Sequence, residues 1–416
     1  MDILEEKLKK VIPRQLYLKD IDSILDSNLI NVIVWPRRVG KSYFLYSVIN
    51  YLLEKDIITS NQIFYINKEW IEFDFIQDYR DLQNYFSKFR IDTSKKFFVW
   101  LDEVQEIKWW EKFVLSLQSK YSNAIIFVTG SNSKLLASKF ATLLAGRYIQ
   151  KVIYPLSFKE FKYFSGISNE QKAFELYVKI WWLPKVSFLQ DEDLIFEYLQ
   201  WVYNTVFVKD IVEFFKIRNV SILRKIHKFL FSQMGSVISA SNISNYFKSQ
   251  KIKVSVDTVV DYINYSKDAF LFNEIERYDI RWKKILEVHS KIYSFDLGIR
   301  NAVVWWNFKK DIEKYLEQIV LNHLLIWWWK AYVGILRDKE IDFIAEKGWK
   351  KIYIQVCYLL SSEKVVEREF WNLLKIKDNW PKYVISMDPI KYWNYEWINH
   401  LNIFEFLNNF ESVLEI

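Results

Sequence analysis

Val32-Ile-Val-Trp-Pro-Arg-Arg-Val-Gly-Lys-Ser42 decides how this chain is read. An apolar, β-branched run feeds a loop that matches the phosphate-binding pattern G-x-x-x-x-G-K-[ST] at each fixed position but the first, where Trp35 stands. In such a loop the backbone of Trp35, Pro36, Arg37, Arg38, Val39 and Gly40 curls around the phosphates of ATP. Lys41 reaches the β and γ phosphates, and the Ser42 hydroxyl sits on Mg2+. The apolar-periodic stretch from Tyr43 to Leu53 predicts a helix whose positive end faces the same anion.

Leu29–Val34 is expected to be a buried strand, joined by Gln62–Ile66, Lys96–Glu103, Ala124–Thr129 and Tyr148–Tyr154. Strands alternating with helices imply an α/β fold, a parallel P-loop sheet with helices on both faces. Lys96-Phe-Phe-Val-Trp-Leu-Asp102-Glu103 lies about 60 residues after the loop. It has the form of a Walker B strand, with Asp102 as the Mg2+ ligand through water and Glu103 as the base that polarises the attacking water. Past the next strand, Ser131 or Asn132 could bond the γ-phosphate. Arg147, in Leu143-Leu-Ala-Gly-Arg147, could neutralise charge on the phosphoryl group in cis or across a subunit boundary.

The 416 residues suffice for two or three domains, and 51% apolar with 26% charged residues marks a folded chain. A net charge of +7 permits nucleic-acid contact without demanding it. One cysteine, Cys357, and no signal-like or membrane-spanning run point to the cytoplasm and away from a membrane. The four histidines show no ligand spacing. The expected organisation is a P-loop ATPase domain over 1–155, a helical lid or connector over 156–219, a winged helix-turn-helix over 220–290, and a C-terminal region over 291–416. Three helices and a hairpin turning at Asp279–Trp282 carry the winged-helix expectation. Double-stranded DNA is then a candidate partner through Arg224, Lys225, Lys248, Lys251 and Lys253, with a protein partner or a second copy as the alternatives. In 291–416, acids on a helix (Asp311 to Glu317) and a strand (Asp342) precede a strand carrying Gln355 and Cys357. That order is the layout of a PD-(D/E)xK nuclease lacking its final acid and lysine, so this α/β region is expected to be inactive.

Taken together, Pro36–Ser42, Leu101-Asp-Glu-Val-Gln-Glu-Ile107, Thr129-Gly-Ser-Asn132, Leu143–Arg147 and Lys339–Ile344 resemble the archaeal and bacterial P-loop ATPases of the AAA+ superfamily that carry a C-terminal DUF4143 domain. The resemblance implies ATP binding and hydrolysis. It also implies glycine at Trp35, before Trp110, at Trp181, Trp182, Trp201, Trp282, Trp305 and Trp306, within 327–329, and at Trp349; Trp371, Trp393 and Trp397 fit the same pattern. The chain holds 8 glycines where average usage gives about 29, and it holds 19 tryptophans. A gene that reads UGA as glycine, translated with UGA as tryptophan, would leave this pattern.

Overall fold

The structure, a computed structural model, describes the chain apart from residues 1–5, 7, 10, 20, 131–143, 145, 181, 190, 305–307, 390–395 and 415–416. It divides into two compact units, Met1–Ile153 and Tyr154–Ile416.

In the first unit two short helices, α1 (Gln15–Leu18) and α2 (Ile21–Leu25), precede strand β1 (Ile30–Val34) and helix α3 (Lys41–Glu54). Then follow β2 (Ile63–Asn67), α4 (Tyr79–Lys88), β3 (Phe97–Asp102), α5 (Trp110–Lys120), β4 (Ala124–Thr129) and β5 (Tyr148–Val152). The strands pair in parallel in the order β2-β3-β4-β1-β5. Every residue of β1 to β4 is buried, which is why each reads as a continuous apolar run. β5, at an edge, is half-buried and carries Gln150 and Lys151. Burying side chains such as Phe97, Phe98 and Leu101 contributes roughly 1.5–3 kcal/mol each. Asn31 is the polar residue buried in β1, and its amide donates to Leu29 O at 3.1 Å and Ile126 O at 3.2 Å. The register places Asn67 beside Asp102 and Ile33 beside Thr129. The carboxyl ends of four strands therefore share the rim from which residues 35–40 emerge.

The second unit opens with helices α6 (Phe158–Ser165), α7 (Glu170–Lys179) and α8 (Glu192–Thr205), the last continued by a π-helical stretch, Val206–Glu213. Next are α9 (Val220–Ser232), the short strand β6 (Val237–Ile238), α10 (Ala240–Ser249), α11 (Val256–Asp268), and the antiparallel pair β7 (Phe272–Asp279) and β8 (Lys284–Ser294). After α12 (Leu297–Val303) and α13 (Phe308–Ile326) come β9 (Lys330–Leu336), β10 (Lys339–Lys347), β11 (Lys350–Val356), α14 (Glu363–Leu374), β12 (Lys382–Ser386) and β13 (Ile398–Asn402). One eight-stranded sheet runs β13-β12-β11-β10-β9-β7-β8-β6. The hairpin β7–β8 is thus joined to the C-terminal strands through the parallel pair β7–β9. The boundary expected at 290 falls inside β8. The strand continues there past His289, whose φ of 67° breaks the alternation that marks its first half. Helix α14 packs over this sheet through Phe370 and Leu373, in a core with Tyr332, Ile344, Tyr353 and Cys357.

Candidate nucleotide site

The loop after β1 is shaped by backbone conformation. Gly40 takes φ 87° and ψ 37°, a left-handed geometry that glycine adopts without steric cost, and it starts α3. No side chain caps that helix, which leaves first-turn N–H groups for an anion. Arg38 is also left-handed, at φ 70°. Trp35 and Pro36 are buried, Ser42 is half-buried and Tyr43 is exposed. Lys41 Nζ lies 5.2 Å from the centre of the Trp35 ring.

Lys41 bridges the two Walker B acids. Its Nζ is 2.8 Å from Asp102 Oδ1 and also contacts Glu103 Oε1. Asp102 is fully buried, and the Thr129 hydroxyl donates to its Oδ1 at 2.5 Å. Asp102 Oδ2 is buried with no hydrogen-bond partner. Glu103 accepts from Gln105 Nε2 and sits at φ 54°, where a non-glycine residue costs about 1–2 kcal/mol. Burial disfavours the charge on Lys41, yet Asp102 and Glu103 raise its pKa above the usual lysine value. Burial lifts Asp102 above the ordinary carboxylate range against the pull of Lys41. For Glu103 burial is outweighed by Lys41 and hydrogen bonds, so its pKa is lowered.

The donor set suits a nucleotide with a divalent cation. The unpartnered Asp102 oxygen fits a water of a Mg2+ shell, and Ser42 is the second residue of the helix that starts at the same rim.

Of the residues singled out in sequence, Trp35 to Tyr43, Asp102 and Glu103 gather at this rim. Asn132, Ser131 and Leu143 lie outside the described residues. Arg147 does not join them. Parallel pairing of Ile30 with Tyr148 sets Arg147 at the amino end of β5, at the opposite end of the sheet from the loop. Four residues of strand, about 13 Å, separate those ends, so the role in cis is corrected: Arg147 does not serve the loop of its own chain. Sequence reasoning also missed three residues. Thr129 positions Asp102 and accepts from the indole of buried Trp100 at 3.3 Å. Gln105 holds Glu103. Arg14, fully buried, donates to Val39 O at 3.3 Å, and its guanidinium lies 4.7 Å from the ring centre of Tyr17, which in turn packs edge-on against Phe44 of α3. A polar residue closing a Walker strand and a Gln two places after the glutamate were signals for the first two. Nothing local signals Arg14.

Residues 27–162 match the family described as AAA domain, and residues 173–311 match a domain of unknown function, DUF8612. The latter is a different domain from the DUF4143 expected over 291–416, and the two spans overlap only at 291–311. An uncharacterised protein of Haemophilus influenzae is 33% identical over 382 residues, 91% of this chain and 94% of that relative. One from Methanocaldococcus jannaschii is 31% identical over 390 residues, 89% of this chain and 82% of the relative. Among solved structures, a Walker-type ATPase of Pyrococcus abyssi is similar at 14% identity and a TM-score of 0.48, covering 70% of this chain and 95% of that one. The chain belongs to the family of these bacterial and archaeal proteins, and its residues 27–162 match an AAA domain.

Proposed function

We propose that this chain is a Mg2+-dependent ATP hydrolase in which nucleotide state governs its second unit. The observation that carries the reading is the Lys41 bridge to Asp102 and Glu103 beside an unpartnered Asp102 oxygen. Loop residues 35–40 would hold the phosphates with Lys41 moving from carboxylate to phosphate. Ser42 and Asp102 would hold Mg2+, which when bound supplies charge neutralisation. Glu103, released from Lys41, takes up its task of orienting and deprotonating water. Asn132 is assigned to sense the γ-phosphate. Arg147 is assigned to the phosphoryl group of a second copy, because its own loop is out of reach. Steady-state ATP hydrolysis tests this: Glu103→Gln should bind ATP and not turn it over. Wild-type turnover in Lys41→Ala would remove the proposal.

A second reading treats α9, α10, α11 and β7–β8 as a winged helix-turn-helix that binds duplex DNA under nucleotide control. Lys248, Lys251 and Lys253, exposed at and after the end of α10, favour it, as does Lys225 on α9. Arg224 is engaged within the protein, 4.3 Å over the Phe207 ring and bonded to Asn204. Steep salt dependence of duplex binding, lost in a Lys248→Glu/Lys251→Glu chain, is the expected result. Failure to bind duplex at low salt would turn the reading toward a protein partner. The C-terminal sheet is read as nuclease-like and inactive, since Gln355 and Cys357 are buried and burial raises the thiol pKa.

The same proposal covers the tryptophans. Trp109, Trp328 and Trp397 take φ of 54°, 58° and 74°, where a bulky residue is an outlier and glycine is not. Trp397 is also 93% exposed. These positions, with Trp35, are assigned to glycine in the natural product. Trp100, Trp110 and Trp182 differ: each is buried, and Trp182 donates to Tyr177 O at 2.8 Å. Trp349 follows the left-handed Gly348 in the β10–β11 turn and needs no glycine there. UGG codons at 35, 109, 328 and 397 would defeat the assignment. Trp35→Gly is expected to tighten ATP binding, read by calorimetry.

A further inference from the structure

The second unit holds another lysine among carboxylates, one that nucleotide chemistry does not use. Lys291 of β8 has 5% side-chain exposure, and its Nζ lies 2.7 Å from Glu340 Oε1 and 3.4 Å from Glu317 Oε2. Tyr293, on the same strand face, donates its hydroxyl to Glu317 Oε2 at 2.8 Å. Asp342 is buried, its Oδ2 accepts from Val356 N at 2.7 Å, and its charge acts on Lys291. The β10–β11 register, Phe343 opposite Ile354, sets Gln355 across from Asp342. Gln355 is buried, and its Oε1 has no partner. Gly235 closes the cluster: a Cβ there would come 3.6 Å from Glu317 Oε2.

A helix acid, a strand acid and the next strand's amide are the positions that gather a divalent cation in a nuclease-like layout. The residues present do not fit one. Among the described residues no group of three or more His, Cys, Asp or Glu is disposed to hold a metal. An ammonium already bonds two of the acids.

We infer that Lys291 replaces the divalent cation of this module, an internal cation supplied by β8 that neutralises the acids of α13 and β10 and fastens the hairpin to the C-terminal strands. The geometry carries the assignment: the ammonium reaches an acid on α13 and one on β10 at once, and the Tyr293 hydroxyl of the same strand completes the contact with Glu317. The inference is independent of the ATPase reading and rests on the nuclease-like reading only for the place a metal would take.

The test is the melting temperature of the full chain without nucleotide, with and without millimolar Mn2+ as the probe. The wild type should show no Mn2+-dependent rise. Lys291→Ala, and Lys291→Gln as a variant that keeps side-chain bulk, should melt lower and gain a Mn2+-dependent rise that added Asp342→Asn removes. If neither variant folds alone, recovery from denaturant only with Mn2+ supports the exchange, and no recovery with Mn2+ overturns it. A wild-type rise that survives Asp102→Asn but not Asp342→Asn would also overturn it. Folded variants without a metal response would overturn the exchange while leaving the nuclease-like layout standing. Mg2+-dependent DNA cleavage lost in Asp342→Asn would defeat both the exchange and the inactive reading.

Discussion

Lys41 and Lys291 are both buried ammonium groups between carboxylates, but the chain holds them in opposite ways. Lys41 is the first residue of a helix, after a left-handed glycine, with 14% of its side chain exposed at the rim of a sheet. Its partners are an aspartate whose other carboxylate oxygen has no hydrogen-bond partner and a glutamate in strained backbone. Lys291 sits inside a strand paired on both sides, with Val237 and Ile275, and its acids come from a helix and another strand. A cation at the end of an element, beside unsatisfied acceptors, can exchange partners. One woven into a sheet stays where it is.

The largest expected effect breaks the first cluster. Lys41→Ala or Glu103→Gln should lower ATP turnover about 10^2-fold or more while leaving the fold in place. Equal loss from Lys291→Ala would erase the contrast. Next, Lys291→Ala should destabilise the second unit by roughly 3–5 kcal/mol in denaturant unfolding, because it strands acids away from water. Lys41→Ala should cost the first unit less, since Glu103 retains access to solvent and to Gln105.

A buried acid with no lysine sharpens the comparison. Asp296 caps α12 by accepting from Ile299 N at 2.7 Å, its Oδ2 has no partner, and burial pushes its pKa up to about 7. Between pH 4 and 7 the folded chain keeps a proton that the unfolded chain releases. Stability therefore falls as pH rises through that window and levels off above it. Asp296→Asn, which can still cap, should flatten that slope by at most about 4 kcal/mol. The smallest effect is Trp109→Gly, which should raise stability by about 1 kcal/mol through relief of its left-handed backbone.

The candidate nucleotide site was legible because its signals are local. A wholly buried strand reads as an apolar run, and Gly40-Lys41-Ser42 follows it directly. Asp102 and Glu103 close another such run. The choice for Arg147 between its own loop and a second copy's was not legible, because chain order does not tell which end of a sheet a residue meets, whereas the pairing of Ile30 with Tyr148 does. Lys291, which pairs with the acids of α13 and β10, comes from β8, more than 60 residues before Gln355, and no window along the chain joins them. The His289 bulge hid the rest of that strand, so the hairpin read as a self-contained piece.

The parallel pairing of β7 with β9 has a practical consequence for dissecting the protein. A fragment ending at 290 would cut β8 short and leave β7 with a bare row of amides and carbonyls, a template for aggregation. The hairpin should therefore be studied within 154–416, and solubility lost on trimming would report a torn sheet instead of a dispensable tail.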